Sequence, residues 1–287
     1  MRQKPFGLLF TILLMLPLAG FAQFPGMGHI VYKTMPSSIL GQEREYAIYL
    51  PKNYDTHTAK RYPVLYLLHG GGGSHTDWPE QGLLQGVANQ LIDSNEACEM
   101  IIVCPEAGKN FMNYFNSPEW RYEDYFFQEL IPYIDSNYRT ISNKQNRAIA
   151  GLSMGGGGTV AYAFRHPEMF CAAYPMSGYF SRNESLAWVN FDDPVQGKVH
   201  QLVEDNNCVK LVLNSTPAQV DAMKTVRWFI DCGDDDFCYD INIDFVAALR
   251  EKGVPYELRI RDGGHTWIYW NTALYYALPF VTRAFTN

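Results

Sequence analysis

The sequence predicts an α/β fold, a mainly parallel central sheet with helices on both faces. Three observations carry this. Short apolar runs alternate with helical stretches along most of the 287 residues, the order that builds parallel strands joined by crossover helices. Several runs, such as Leu65-Tyr66-Leu67-Leu68 and Ile101-Ile102-Val103-Cys104, are apolar throughout, as strands buried on both faces are. One run, Ala148-Ile149-Ala150, enters Gly151-Leu152-Ser153-Met154-Gly155 and then a glycine-rich helical start, which reads as a sharp strand-to-helix turn.

In chain order, residues 29–34 and 45–50 read as strands, with Ser37, Ser38 and Gly41 as turn material between them. Residues 63–68, bounded by Pro and Gly, read as a buried parallel strand. A helix over 80–95 and a strand over 100–104 follow, then a helix over 122–138, a strand over 147–152 and a helix from Met154. Strands over 172–176, 226–232 and 256–261 and helices over 241–252 and 273–285 complete the alternation. Residues 179–224 break the rhythm with mixed polar and aromatic composition. They are expected to form an insertion over the C-terminal edge of the sheet, where α/β proteins place their ligands.

Hydrophobic residues make up 47% and charged residues 18% of the chain, enough to bury the core of one large domain. A formal net charge of −7 supplies no basic face, so no nucleic-acid partner is expected. Arg2 and Lys4 precede an apolar run over 6–18, and Gly20-Phe21-Ala22 follows with small residues. That is the order of a cleavable secretory signal, and the run is short for a bilayer span. The expectation is a signal at 1–22 and one domain at 23–287, secreted or periplasmic, with no membrane anchor after cleavage. Six cysteines would permit disulfides in an exported protein, with Cys98/Cys104 and Cys232/Cys238 close in sequence. They lie in apolar stretches where buried free thiols are expected at least as often, so the pairing stays open.

Gly151-Leu152-Ser153-Met154-Gly155 fits G-x-S-x-G, and its setting between strand and helix makes Ser153 the candidate nucleophile of an α/β-hydrolase. A serine hydroxyl needs a base to take its proton. Of His29, His57, His69, His75, His166, His200 and His265, the chain order serine, acid, histidine leaves the last three. His166 ends the helix after Ser153, His200 sits in the polar insertion, and His265 follows Gly263-Gly264 directly after a strand. His265 is the expected base. The acid should come from the loop after the strand Trp228-Phe229-Ile230-Asp231-Cys232, and Asp234, Asp235 and Asp236 all stand there. Pattern alone does not separate Asp235 from Asp236. Attack on an ester creates an oxyanion, which two N–H donors stabilise by about 3–4 kcal/mol each. Met154 supplies one, and His69-Gly70-Gly71-Gly72-Gly73 fits the HGGG type of oxyanion loop for the other. No Lys-Ser/Thr follows that loop as phosphate binding would demand. His69 and His75 show no third ligand by spacing, so no metal and no organic cofactor is expected.

These motifs resemble the esterase D-like superfamily of α/β-hydrolases. The resemblance rests on Leu67-Leu68-His69-Gly70-Gly71-Gly72-Gly73-Ser74 with Trp78, on Arg121-Tyr122-Glu123-Asp124-Tyr125, and on Glu129-Leu130-Ile131-Pro132-Tyr133-Ile134. It continues through Arg147 to Gly156, Cys232-Gly233-Asp234-Asp235-Asp236 and Gly263-Gly264-His265-Thr266-Trp267, over nearly the whole chain. The superfamily includes feruloyl and acetyl-xylan esterases of carbohydrate esterase family 1, S-formylglutathione hydrolases, siderophore esterases and mycolyltransferases. The resemblance implies that Asp236 is the acid and that Gly71 and Met154 donate to the oxyanion. The chain departs at Cys104-Pro105-Glu106-Ala107-Gly108, where relatives more often carry Pro-Asp-Gly, and in the segment after it. Both are expected to border the acyl pocket.

Export and the resemblance point to an ester of a polysaccharide. Trp78, Phe111, Tyr114, Trp120, Tyr179, Trp188, Trp267 and Trp270 fall where loops should surround the site. Trp78, Tyr114 and Trp267 are the candidate substrate contacts, able to stack on a sugar or a phenolic ring. Aromatics are 15% of the chain, so half or more of these should be packing residues. The expected activity is feruloyl ester hydrolysis, with acetyl-xylan or another carbohydrate acyl ester as the alternative substrate. The rival of another class is a non-catalytic hydrolase scaffold that binds glycans.

Overall fold

Strand sequences here are read twice, once by each face of the sheet. The computed structural model describes residues 27–108, 114–183, 186 and 189–286; the expected signal at 1–22, Phe111 and Trp188 lie outside them. The first half contains β1 (His29–Ser37), β2 (Gln42–Leu50), β3 (Val64–Leu68), α1 (Asp77–Glu80), α2 (Leu84–Asp93) and β4 (Ile101–Pro105). A small ribbon, β5 (Asn116–Ser117) and β6 (Trp120–Arg121), leads into α3 (Tyr122–Tyr125) and α4 (Ile131–Asn137). Then come β7 (Arg147–Leu152), α5 (Met154–Arg165), β8 (Ala172–Met176), α6 (Gln196–Asp205), α7 (Cys208–Leu213) and α8 (Pro217–Met223). The chain closes with β9 (Arg227–Gly233), α9 (Tyr239–Glu251), β10 (Tyr256–Arg261) and α10 (Trp267–Ala284).

The main sheet has the order β1-β2-β4-β3-β7-β8-β9-β10. β1 and β2 pair antiparallel, β2 pairs antiparallel with β4, and every later pairing is parallel. Alternate residues serve opposite cores. In β3, Val64, Tyr66 and Leu68 face the layer with α4, α5 and α9, while Leu65 and Leu67 face the layer with α2 and α10. Apolar residues on both faces are why these strands read as unbroken runs.

β1 and β2 each run three residues closer to their turn than expected, so Ser37 ends β1 instead of lying in the turn, and three helical boundaries differ as well. The helix over 80–95 is divided, because Leu83 holds φ at 51°, a left-handed conformation no right-handed helix propagates. The body over 122–138 contains a π-helical turn at Phe126–Leu130, directly before Pro132, which lacks the N–H of a continuing α-helix. The last helix starts at Trp267 rather than 273, capped by the Thr266 hydroxyl, which accepts from the Tyr269 N–H. Among the described residues of the 179–224 segment, the Tyr179 N–H donates to the Ser153 carbonyl at 2.9 Å and the Asn183 side chain donates to the Phe237 carbonyl at 3.3 Å. The segment's helices α7 and α8 pack beside α5 and α9. All six cysteines are free and five are buried. Burial pushes the Cys171 thiol up to about 11 and the Cys208 thiol up to about 12.

Candidate active site

The site assembles where β7, β9 and β10 end. β7 is buried along its length, and Ser153 leaves it with φ 53° and ψ −117° before α5 begins. For a residue with a side chain this costs about 1–3 kcal/mol, and it is the strained elbow that the glycine spacing predicts. A β-carbon on Gly155 would stand 2.5 Å from the His69 carbonyl oxygen, so only glycine lets α5 start this close to the loop after β3. The Ser153 N–H donates to the Met176 carbonyl of β8 at 2.9 Å, which locks the elbow between strands.

His265 comes from the loop after β10. Its Nε2 lies 2.9 Å from Ser153 Oγ, and its Nδ1 lies 2.8 and 2.9 Å from the two carboxylate oxygens of Asp236. Asp236 has a fully buried side chain and also accepts the Cys238 N–H at 2.8 Å. Asp234 and Asp235 are exposed, and the Asp235 N–H donates to the Gly263 carbonyl. The geometry therefore joins Asp236, and not Asp235, to His265. The β9 and β10 loops touch: a β-carbon on Gly233 would stand 1.8 Å from the Gly263 oxygen. Two aromatic rings hold the imidazole, Phe237 at 4.1 Å and Trp270 edge-on at 4.8 Å between centroids. Trp270 is itself fixed by its indole N–H, which donates to Ser177 Oγ at 3.0 Å. Below them, the buried Asp231 carboxylate accepts from the Tyr174 and Tyr269 hydroxyls at 2.6 and 2.7 Å and pairs with Arg259. It ties β8, β9, β10 and α10 together under the site.

The glycine loop lies against the elbow, since a β-carbon on Gly70 would stand 3.6 Å from Ser153 Cβ. Gly71 is exposed. Met154 opens α5, where the first N–H groups of a helix have no intrahelical acceptor. His69 anchors the loop. Its buried ring accepts the Ala107 N–H on Nε2 at 3.0 Å and donates from Nδ1 to the Gly70 carbonyl at 2.7 Å. Burial lowers its pKa and keeps the imidazole neutral.

Two candidate substrate contacts are corrected by their burial. Trp78 has no exposed surface; its indole N–H donates to the Leu68 carbonyl at 2.9 Å and its ring meets Trp267 edge-on. Tyr114 is equally buried, with its hydroxyl donating to the His69 carbonyl and its ring packed on His69 and Tyr122. Both build the walls behind the site. Trp267, two residues after His265, is partly exposed. Glu106 likewise faces the back of the glycine loop, where its carboxylate accepts the His75 and Gly108 N–H groups. His166 pairs with Glu123 and Glu168 at the end of α5, and His200 bonds the Tyr179 hydroxyl. Sequence reasoning missed Phe237 and the loop-anchoring part of His69. Phe237 follows Asp236 directly and was visible as a neighbour of the acid, but nothing in the sequence said which way its ring turns.

Comparison with known proteins agrees with this architecture. The family model described as "Putative esterase" matches residues 37–281. A solved structure named ferulic acid esterase is 46% identical, with a TM-score of 0.88 over 92% of this chain and 100% of that one. An endo-1,4-beta-xylanase/feruloyl esterase of Xylanibacter ruminicola is 30% identical over 255 residues, 86% of this chain and 30% of its own length. This chain thus spans less than a third of that relative. An acetyl esterase of Caldicellulosiruptor saccharolyticus is 21% identical over 81% of this chain and 86% of its own. Matched by the family model over most of its length, this chain belongs to that esterase family and has the α/β-hydrolase fold.

Proposed function

We propose that the protein is a secreted serine carboxylesterase that releases ferulic or related phenolic acids from plant cell-wall polysaccharide. One observation carries the chemistry: the continuous hydrogen-bonded line from Ser153 Oγ through His265 to Asp236, beside the His69–Gly73 loop. His265 takes the Ser153 proton on Nε2 as the hydroxyl attacks the ester carbonyl. Asp236 holds the Nδ1–H tautomer and stabilises the imidazolium. The Gly71 and Met154 N–H groups receive the oxyanion. The alcohol leaves with the proton from His265, and water repeats the sequence on the acyl-enzyme to free the acid. The residues named need no metal or organic cofactor for these steps.

The phenolic substrate is supported by the relatives named for ferulic acid and by the partly exposed Trp267 beside His265. The acetyl esterase among the relatives favours the second reading, a carbohydrate acetyl ester. Secretion rests on the charged, apolar and small-residue order of 1–22. No helix among the described residues is long and apolar enough to cross a membrane. The test is hydrolysis of methyl ferulate and of p-nitrophenyl acetate by the purified protein and by Ser153→Ala. Turnover of both, abolished by the substitution, supports the serine mechanism, and the ratio of the two rates selects the acyl class. Folded protein that turns over neither ester would remove the reading in favour of a glycan-binding scaffold.

A further inference from the structure

A second cluster of ionisable side chains stands behind the glycine loop, apart from Ser153, Asp236 and His265. Its frame is the antiparallel pairing of β2 with β4. Tyr46 lies opposite Pro105, and the Glu106 N–H donates to the Glu45 carbonyl at 3.0 Å, so Glu45 and Glu106 stand side by side where the pair ends. His75 reaches them from the loop. One donor atom from each of Glu45, His75 and Glu106 lies within 4.8 Å of the other two; His75 and Glu106 are buried and Glu45 is exposed.

Charge is the first reason to look harder. The Glu106 side chain is only 4% exposed. Its oxygens are reached by the His75 ring and accept the His75 and Gly108 N–H groups. No lysine or arginine pairs with this carboxylate among the described residues; Arg44 donates to the Glu106 backbone carbonyl instead, at 2.7 Å. Glu45 adds a second carboxylate. Buried charge is ordinarily paired or bound to a metal. Distance is the second reason. His75 Nδ1 and Glu106 Oε2 are 3.3 Å apart, longer than the roughly 2.7–2.9 Å of a charge-assisted hydrogen bond. Two ligands each about 2.0–2.1 Å from a tetrahedral zinc stand about 3.3 Å apart.

We propose that Glu45, His75 and Glu106 form a binding site for a divalent transition-metal ion of the zinc type. One imidazole and two carboxylates make a donor set that zinc accepts, with water completing the shell. The exposed Glu45 side chain completes the set from the solvent side. A bound ion offsets the two carboxylates and fixes His75, the far end of a loop whose near end His69 already holds. The ion is structural, and no step of ester hydrolysis passes through it.

Titration of the chelator-treated protein with Zn2+ by calorimetry, and with Co2+ by visible absorption, tests this. One equivalent is expected to bind, weakened by more than about tenfold in His75→Ala and in Glu45→Gln. Glu45→Gln changes an exposed side chain and decides the matter even if His75→Ala fails to fold. Asp236, Cys238 and His265 also lie within 4.8 Å of one another, so His265→Ala serves as the control in which binding should persist. No binding to the unsubstituted protein, binding that survives Glu45→Gln, or binding lost in His265→Ala would each overturn the proposal.

Discussion

Around Ser153 backbone meets backbone, whereas around Tyr114 ring meets ring. At the elbow, Gly155 abuts the His69 carbonyl and Gly233 abuts Gly263, at separations no β-carbon tolerates. Behind it, Tyr114 packs against His69, Tyr122 and Tyr162 with centroids 5.4–6.4 Å apart. The first kind of contact dictates residue type, and so leaves a spacing in the sequence. The second kind accepts many aromatic arrangements, so a tryptophan or tyrosine near the site in sequence can turn either toward solvent or into the core. The candidate nucleophile and base were therefore readable as positions and the acid only as one of three neighbours, while the residues that choose the acyl group were not.

The largest effect expected from this contrast separates the neighbouring acids. Asp236→Asn keeps the side chain's volume but loses the charge that holds His265, and kcat on an ester substrate should fall by about 10⁴-fold. Asp235→Asn changes an exposed side chain one residue away and should leave kcat within a few-fold. Equal losses in the two variants would mean that the loop acts as a unit and that the hydrogen bond from His265 to Asp236 does not set the base.

Next in size is the cost of removing an aromatic from the wall. Trp78→Ala opens a cavity under α1 and strips a donor from the Leu68 carbonyl. Chemical denaturation should register a loss of about 3–5 kcal/mol, with KM little changed for the molecules that remain folded. A raised KM at unchanged stability would return Trp78 to the substrate surface, where its place in the sequence had suggested it belonged.

The sheet was legible because its strands are apolar on both faces and short, and β7, β8 and β10 fall where the runs predict them. What escaped the sequence was set by single residues acting on their neighbours. Leu83 enters a left-handed conformation that breaks a helical pattern. The π-helical turn before Pro132 buries Phe126 and Leu130, a four-residue step that an unbroken α-helix also gives. Of the site, Ser153 and His265 were assigned from motif and order, and Asp236 needed the family resemblance because three acids in a row carry no geometry. Glu106 was expected beside the acyl pocket. It lies one residue past β4 with its carboxylate on the His75 and Gly108 N–H groups behind the glycine loop, a placement that a departure from a motif does not announce.

His69, which anchors the glycine loop, sharpens the contrast further. His69 is buried with both ring nitrogens engaged by backbone groups, and burial lowers its pKa below the ordinary histidine value. In the unfolded chain it takes up a proton as pH falls below about 6.5, while the folded form resists. Its contribution to stability is thus fully present above that pH and is lost on acidification. Glutamine offers one donor and one acceptor without titrating. Unfolding curves of the unsubstituted protein and His69→Gln between pH 7.5 and about 5 should diverge on acidification, the unsubstituted protein losing at most about 1.4 kcal/mol more per pH unit. Parallel curves would mean that His69 titrates alike in both states.

The smallest expected effect lies where the two regions join. Trp267 follows His265 by two residues and packs edge-on against both Trp78 and Trp270, yet remains partly exposed. Its backbone belongs to the constrained side of the molecule and its ring to the permissive side. If the exposed part of the ring meets the acyl group, Trp267→Ala should raise KM for methyl ferulate by about 3- to 10-fold, the equivalent of about 0.5–1.5 kcal/mol of aromatic contact. KM for p-nitrophenyl acetate should move less, because an acetyl group offers no ring to stack. Equal changes for both esters would assign Trp267 to the packing of His265 and leave acyl choice to other residues of the rim.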